Sequence, residues 1–170
     1  MYYFAYGSNM STRRLKQRLS TARPVSVATL PRHRLCWHKQ GRDGSGKCDA
    51  AHAGDDALAV MGVLYEMAPE ERPLLDRIEG VGAGYEVINV RLMLRSGEFV
   101  QAFTYQATQI DASALPFLWY KTHVLQGAYE HGLPDDYIAQ LEAIPALDDP
   151  DRERHRRELL IYDPEERFFR

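Results

Sequence analysis

Cysteine is scarce: Cys36 and Cys48 are the only two in 170 residues, which excludes a scaffold held by several disulfides and leaves room for a single bridge at most. Two reduced, partly buried thiols are the expectation for an intracellular chain. Long apolar runs are missing as well. Met1 is followed directly by Tyr2, Tyr3 and Phe4, without the basic stretch and apolar segment of a secretory signal, and no stretch has the ~20 residues of a membrane-crossing helix. A cytoplasmic protein with no membrane partner is expected. Neither sign of charge dominates: 21 basic residues face 24 acidic ones, for a net charge of -3. With no positive field to gather a polyanion, nucleic acid is not an expected partner.

Several chemical signatures are absent too. The six histidines, His33, His38, His52, His123, His131 and His155, contain no i, i+4 pair of the kind that grips zinc from one helix face, and the cysteines are not clustered. No metal and no other cofactor is expected. Ser8 lacks the Gly-x-Ser-x-Gly setting of a serine hydrolase. The stretch from Gly41 to Lys47 has glycines and a lysine but neither the spacing nor the following Ser or Thr of a phosphate loop, and it reads as a surface loop.

What is present organises as one domain. With 45% hydrophobic residues the chain can build a single core. Tyr2 to Tyr6 reads as a buried strand, broken by Gly7-Ser8-Asn9 ahead of an amphipathic helix from Thr12 to Leu19 capped by Ser11. Val25 to Leu30, Arg34 to Trp37 and Leu58 to Tyr65 are further strands. Pro69 to Glu79 carries Leu74, Leu75 and Ile78 at helical spacing and stops at Gly80. The alternation of Ile88, Val90, Leu92 and Leu94 with Asn89, Arg91 and Met93, then the turn Ser96-Gly97 and a second alternating run from Phe99 to Tyr105, predicts a β-hairpin. A long helix from Ser113 to Glu130, capped by Ser113, and a shorter one from Asp135 to Ile144 follow. From Asp148 the composition becomes strongly charged, so the expected division is a domain over 1–147 and a charged tail or helix over 148–170. Strands interleaved with helices, one clear antiparallel hairpin and no regular βαβ rhythm favour a mixed α+β fold.

Two places stand out chemically. At Tyr6-Gly7-Ser8-Asn9 a strand meets a tight turn and then a helix; glycine permits close backbone approach, and successive free N–H groups make a concavity for an anion such as a carboxylate. An ordinary strand-to-helix turn is the plainer alternative. Glu79 ends its helix on the ridge of Leu75 and faces the negative end of the helix dipole, a setting suited to a residue that takes a proton and returns it. A solvated glutamate before a capping glycine is the plainer alternative there.

Three segments, Tyr3-Phe4-Ala5-Tyr6-Gly7-Ser8-Asn9, Leu75-Asp76-Arg77-Ile78-Glu79-Gly80-Val81 and Gly127-Ala128-Tyr129-Glu130-His131-Gly132-Leu133-Pro134, taken in order, resemble the γ-glutamyl cyclotransferases over residues 1–145. The resemblance implies a mixed β-barrel flanked by helices, a γ-glutamyl small-molecule substrate and release of 5-oxoproline. It implies that Glu79 is the acid/base and that Tyr6, Gly7, Ser8 and Asn9, with Tyr3, Phe4 and Ala5 beside them, hold the glutamyl group. Tyr105 and Tyr120 match positions near the substrate, with core packing as their other reading. Two further readings stand beside the activity on γ-glutamyl amino acids: a different leaving group (a γ-glutamylamine, glutathione or a γ-glutamyl-protected intermediate), and a silent ligand-binding module. A homodimer is expected for a compact domain with a charged terminal arm.

Overall fold

The computed structural model describes residues 1–163, so the end of the charged stretch, 164–170, lies outside the described residues. The strands in chain order are β1 (Tyr2–Ala5), β2 (Arg23–Pro31), β3 (His33–Gln40), β4 (Gly46–His52), β5 (Ala59–Glu66), β6 (Tyr85–Leu94) and β7 (Phe99–Ala107). The α-helices are α1 (Thr12–Arg18), α2 (Arg72–Glu79), α3 (Leu118–Glu130), α4 (Asp135–Ala143) and α5 (Arg152–Leu159). Among the described residues no helix is long and apolar enough to cross a membrane.

Five strands close into a barrel in the order β1-β5-β2-β6-β7. Every neighbouring pair is antiparallel except the closing pair, where β7 runs parallel to β1 through Tyr3 and Phe103. The mixed α+β class and the helix-flanked barrel are therefore as expected. Closure removes the free sheet edges that would otherwise template aggregation. Phe4, Val60, Val63, Tyr65 and Leu92 are fully buried and form part of the core. The β6–β7 hairpin pairs from Tyr85 with Ala107 to Met93 with Phe99, and Gly97 takes the positive φ, 86°, that its turn demands.

Strands β3 and β4 form a separate two-stranded sheet. Here the sequence reading falls short: the surface loop ends at Ser45, and Gly46 begins a strand that composition does not announce. The segment Gly-Lys-Cys-Asp-Ala-Ala-His is poor in β-branched and aromatic residues, so its extended form comes from pairing with β3 rather than from propensity. Gly46 is needed for space, since a Cβ there would stand 2.1 Å from the carbonyl oxygen of Trp37.

Two helix starts also differ from expectation. The Pro69 to Glu79 helix is a 3₁₀ turn, Pro69–Glu71, followed by α2, whose first turn holds Pro73, a residue with no N–H to donate. Its end is as expected: Gly80 is left-handed at φ 78° and donates its N–H to Asp76. The long helix begins at Leu118, not at Ser113. Pro116 disfavours helical backbone at Leu115, and the Ser113 hydroxyl bonds Asp111 at 2.6 Å instead of capping a helix. Helix α3 then presses on the turn after β1. Gly127 makes that possible, because a Cβ there would lie 2.4 Å from Met10 Cβ and 2.5 Å from the Ser11 nitrogen.

The charged stretch after Asp148 docks on the domain. Asp149 accepts from Trp119 Nε1 at 2.7 Å and from Arg154 Nε at 2.6 Å, and Glu158 of α5 pairs with Arg14 of α1 at 2.6 Å.

Candidate active site

The strand-to-helix turn after β1 is the floor of a small cleft. Ser8 to Met10 form one 3₁₀ turn, Met10 N–H returning to the Gly7 carbonyl at 2.9 Å, and Ser11 caps α1 by accepting from the Arg14 N–H. Among the described residues nothing accepts from the backbone N–H groups of Ser8 and Asn9, so the turn presents free donors. Gly7 does not take a positive φ; its value is -116°. Its lack of a side chain is a matter of room: a Cβ would stand 3.1 Å from both Cys48 Cβ and the Tyr120 hydroxyl.

Glu79, carried in by α2 and its abrupt glycine stop, meets this turn. Its Oε1 accepts from Asn9 Nδ2 at 2.9 Å and from Arg18 at 2.8 Å. Arg18 also donates to Asn9 Oδ1 at 2.8 Å, closing a triangle, and Asn9 Nδ2 reaches the Tyr3 hydroxyl at 3.0 Å. Glu79 Oε2 has no donor among the described residues, and the side chain keeps 17% exposure. The helix-dipole reading of Glu79 left out this nearby cation.

Of the residues singled out from sequence, Tyr3, Tyr6, Gly7, Ser8, Asn9, Glu79, Tyr105 and Tyr120 all line this one cleft. Phe4 and Ala5 do not; both are almost wholly buried in the core, and Phe4 contributes only its carbonyl, which accepts from Thr104 Oγ1 at 2.8 Å. Tyr6 donates to the Tyr105 carbonyl, Tyr105 donates to Asp76 Oδ1 at 2.7 Å, and the Tyr120 hydroxyl accepts from Cys48 N–H at 3.0 Å. Sequence reading missed Cys48, Tyr85, Thr104 and Arg18. For Arg18 a signal existed, because Arg14 and Arg18 stand one turn apart on α1 and share a face. Cys48 and Tyr85 come from β4 and from beyond the Gly82-Ala83-Gly84 turn, which only tertiary pairing brings here; the Tyr85 hydroxyl donates to the Cys48 carbonyl at 2.6 Å.

Electrostatics narrows what this cleft can do. Burial raises the hydroxyls of Tyr3, Tyr6, Tyr85, Tyr105 and Tyr120 well above the usual phenol range, and it pushes the Cys48 thiol up to about 12. These groups are neutral hydrogen-bonding partners at ordinary pH, not bases. Among the described residues the cleft lining contains no histidine and one carboxylate, Glu79. Both cysteines are free thiols, Cys48 buried and Cys36 half-buried.

Known proteins resemble this chain in sequence and in fold. A model of the AIG2-like family matches residues 59–141. The γ-glutamylcyclotransferase of Mus musculus is 35% identical over 149 residues, which cover 84% of this chain and 77% of the mouse protein. That of Homo sapiens is also 35% identical, over 153 residues covering 86% of this chain and 79% of the human one. A solved γ-glutamyl cyclotransferase structure, 31% identical, superposes with a TM-score of 0.84 and covers 95% of this chain and 97% of its own.

Proposed function

We propose that this chain, which belongs to the γ-glutamylcyclotransferase family and is an enzyme of that type, releases 5-oxoproline and a free amino acid from γ-glutamyl amino acids, with Glu79 moving the proton in both directions. The observation that carries this reading is the state of the Glu79 carboxylate: one oxygen is fixed by Asn9 and Arg18, and the other is unclaimed beside a turn with free N–H donors.

The substrate brings its own nucleophile. Its α-amine reaches the γ-carbonyl carbon and closes a five-membered lactam, so no covalent enzyme intermediate is needed. An internal amine held in attack geometry has an effective molarity of about 10⁵–10⁸ M, which makes conformational restraint the main task of the cleft. The Ser8 and Asn9 N–H groups suit an anionic oxygen, either the α-carboxylate or the developing oxyanion. The neutral tyrosines and Gly7 shape the space for the glutamyl chain.

The protons must still be moved. Glu79 Oε2 takes a proton from the α-ammonium, the freed amine adds to the carbonyl carbon, and the same proton passes to the amide nitrogen as the C–N bond breaks; the extra proton that the addition leaves on the ring nitrogen then passes to the departing amine, which leaves as an ammonium. The products are the lactam and the departing amine, and the carboxylate is restored. General acid–base help of this kind is worth about 10²–10⁴-fold. Incubation of the purified protein with γ-glutamyl-alanine is expected to yield 5-oxoproline and alanine in equal amounts by mass spectrometry. Glu79→Gln keeps the bonds from Asn9 and Arg18 and removes the proton chemistry, so kcat is expected to fall about 10²–10⁴-fold with little change in melting temperature. A Glu79→Gln protein as active as the wild type would overturn the assignment.

A further inference from the structure

Past Glu79 the cleft opens into a second chamber of about 870 Å³, which shares Ser8, Glu79, Tyr85 and Tyr120 with it. If the glutamyl unit occupies the first space, as the reading above requires, the departing portion lies in the second. The chamber's charge is unlike that of the whole chain: among the described residues six basic side chains line it against three acidic ones, on a protein of net charge -3.

Four of the six cations already have protein partners. Arg14 pairs with Glu158, Arg18 with Glu79, Lys47 with Asp43 and Arg154 with Asp149. Lys39 and Arg42 do not: among the described residues no carboxylate lies within 4.0 Å of either and neither side chain has a hydrogen-bond partner. Lys39 is 6% exposed, an unusual burial for a lysine without an acid. Its stem is nonetheless held in place, with Nζ 4.8 Å from the centre of the Tyr85 ring and so close to Gly84 that a Cβ there would stand 2.9 Å from it. Burial lowers its affinity for the proton, and the charge of Glu79 works the other way. Arg42 flanks the same mouth, its guanidinium 3.6 Å from where a Cβ on Gly80 would be. Arg14 Nε, also in this lining, is a buried donor with no partner among the described residues.

We propose that Lys39 and Arg42 form a dicarboxylate subsite for the departing portion, so that the enzyme prefers γ-glutamyl compounds whose released amine is itself an acidic amino acid. One carboxylate answers the rigid lysine and the second answers the exposed arginine at the rim. This subsite rests on the cyclotransferase reading and sharpens it to a substrate class.

The test uses the near-isosteric pair γ-glutamyl-glutamate and γ-glutamyl-glutamine with the full-length protein, measuring kcat and KM for 5-oxoproline release. A charge-assisted contact predicts that kcat/KM is about tenfold higher for the glutamate compound, with most of the difference in KM. Raising salt from low to near-molar concentration should shrink the ratio, because the rim is open to ions. Lys39→Met and Arg42→Met should each bring the ratio towards one, and Lys39→Arg should keep it; the ratio within one protein is insensitive to how much of it folds. Equal efficiency on the two compounds in the wild type would overturn the subsite and leave the cyclotransferase reading intact, as would a ratio untouched by both Met variants. Release of 5-oxoproline from neither compound, nor from γ-glutamyl-alanine, would remove the reading and the subsite together.

Discussion

Arg14 and Arg18 stand one turn apart on α1, yet they end in networks of opposite character. Arg14 is 9% exposed and donates to His123 Nε2 at 2.7 Å and to Glu158 Oε2 at 2.6 Å. With Nε2 accepting, the proton of the neutral ring sits on Nδ1 and goes to the Tyr162 hydroxyl at 2.8 Å, which donates in turn to Ser11 Oγ at 2.9 Å. That network joins α1, α3 and the C-terminal segment. Arg18 belongs to a smaller set, with Asn9 and Glu79, which stops at an oxygen with no donor among the described residues. A network that is nearly satisfied locks elements together, because breaking any bond strands a buried group. One left incomplete at a cleft holds its reactive atom in position and keeps it available for a ligand.

The sharpest way to separate the two is pH. Burial lowers the His123 pKa to about 4, and Glu158 is held at about 2 by His123 and by Arg14. A histidine near 6.5 in the unfolded chain binds protons there before it does in the folded one, so its contribution is complete above pH 6.5 and lost as pH falls towards 4. For Glu158 the contribution is present above the ordinary glutamate range and lost from there down to pH 2. Stability should therefore fall by about 3 kcal/mol between pH 7 and pH 4 on account of His123 alone. Urea midpoints across that range check it. His123→Gln should be less stable at pH 7 yet show a flatter decline, and a decline as steep as the wild type's would count against the closed network.

A smaller effect should follow from the seam between the two networks. Gly127→Ala puts a methyl group about where Met10 and the Ser11 nitrogen already are. Overpacking of this kind costs about 1–3 kcal/mol. Because the turn from Ser8 to Met10 is what must move, activity should drop by more than the loss of folded protein explains; comparing kcat at a temperature where the variant is fully folded measures this. Unchanged kcat would show that the turn absorbs the shift without disturbing Asn9.

These contrasts also mark what could be read from the chain in advance. The β6–β7 hairpin and the Gly80 stop were legible because alternation and turn chemistry are local, and the stop was what delivered Glu79. Strand β4 was not, since its residues take their extended form from β3. Barrel closure depends on Tyr3 meeting Phe103 across about 100 residues, and no periodicity reports that. Tyr3, Tyr6 to Asn9 and Glu79 lie in short contiguous motifs and could be listed, although Phe4 and Ala5, included by adjacency, face the core. The chamber was invisible because Arg14, the Lys39–Arg42 stretch and Glu79 come from three separate segments.

Arg18 offers the finest cut, since it touches Glu79 and Asn9 at once through a single terminal nitrogen. It is a positioning residue: it fixes Oε1 and thereby aims Oε2. Arg18→Met should leave the fold intact, as the side chain is at the cleft rim with 22% exposure, and should lower kcat by about tenfold, equivalent to about 1.4 kcal/mol of barrier. KM for γ-glutamyl-alanine should change little if, as proposed, the turn and the tyrosines hold the glutamyl unit. Arg18→Lys should recover most of the loss, as one ammonium can serve both oxygens where one guanidinium nitrogen now does. A loss confined to KM would instead make Arg18 a direct ligand of the substrate, and failure of the lysine to rescue would mean that the planar guanidinium itself sets the angle of Asn9.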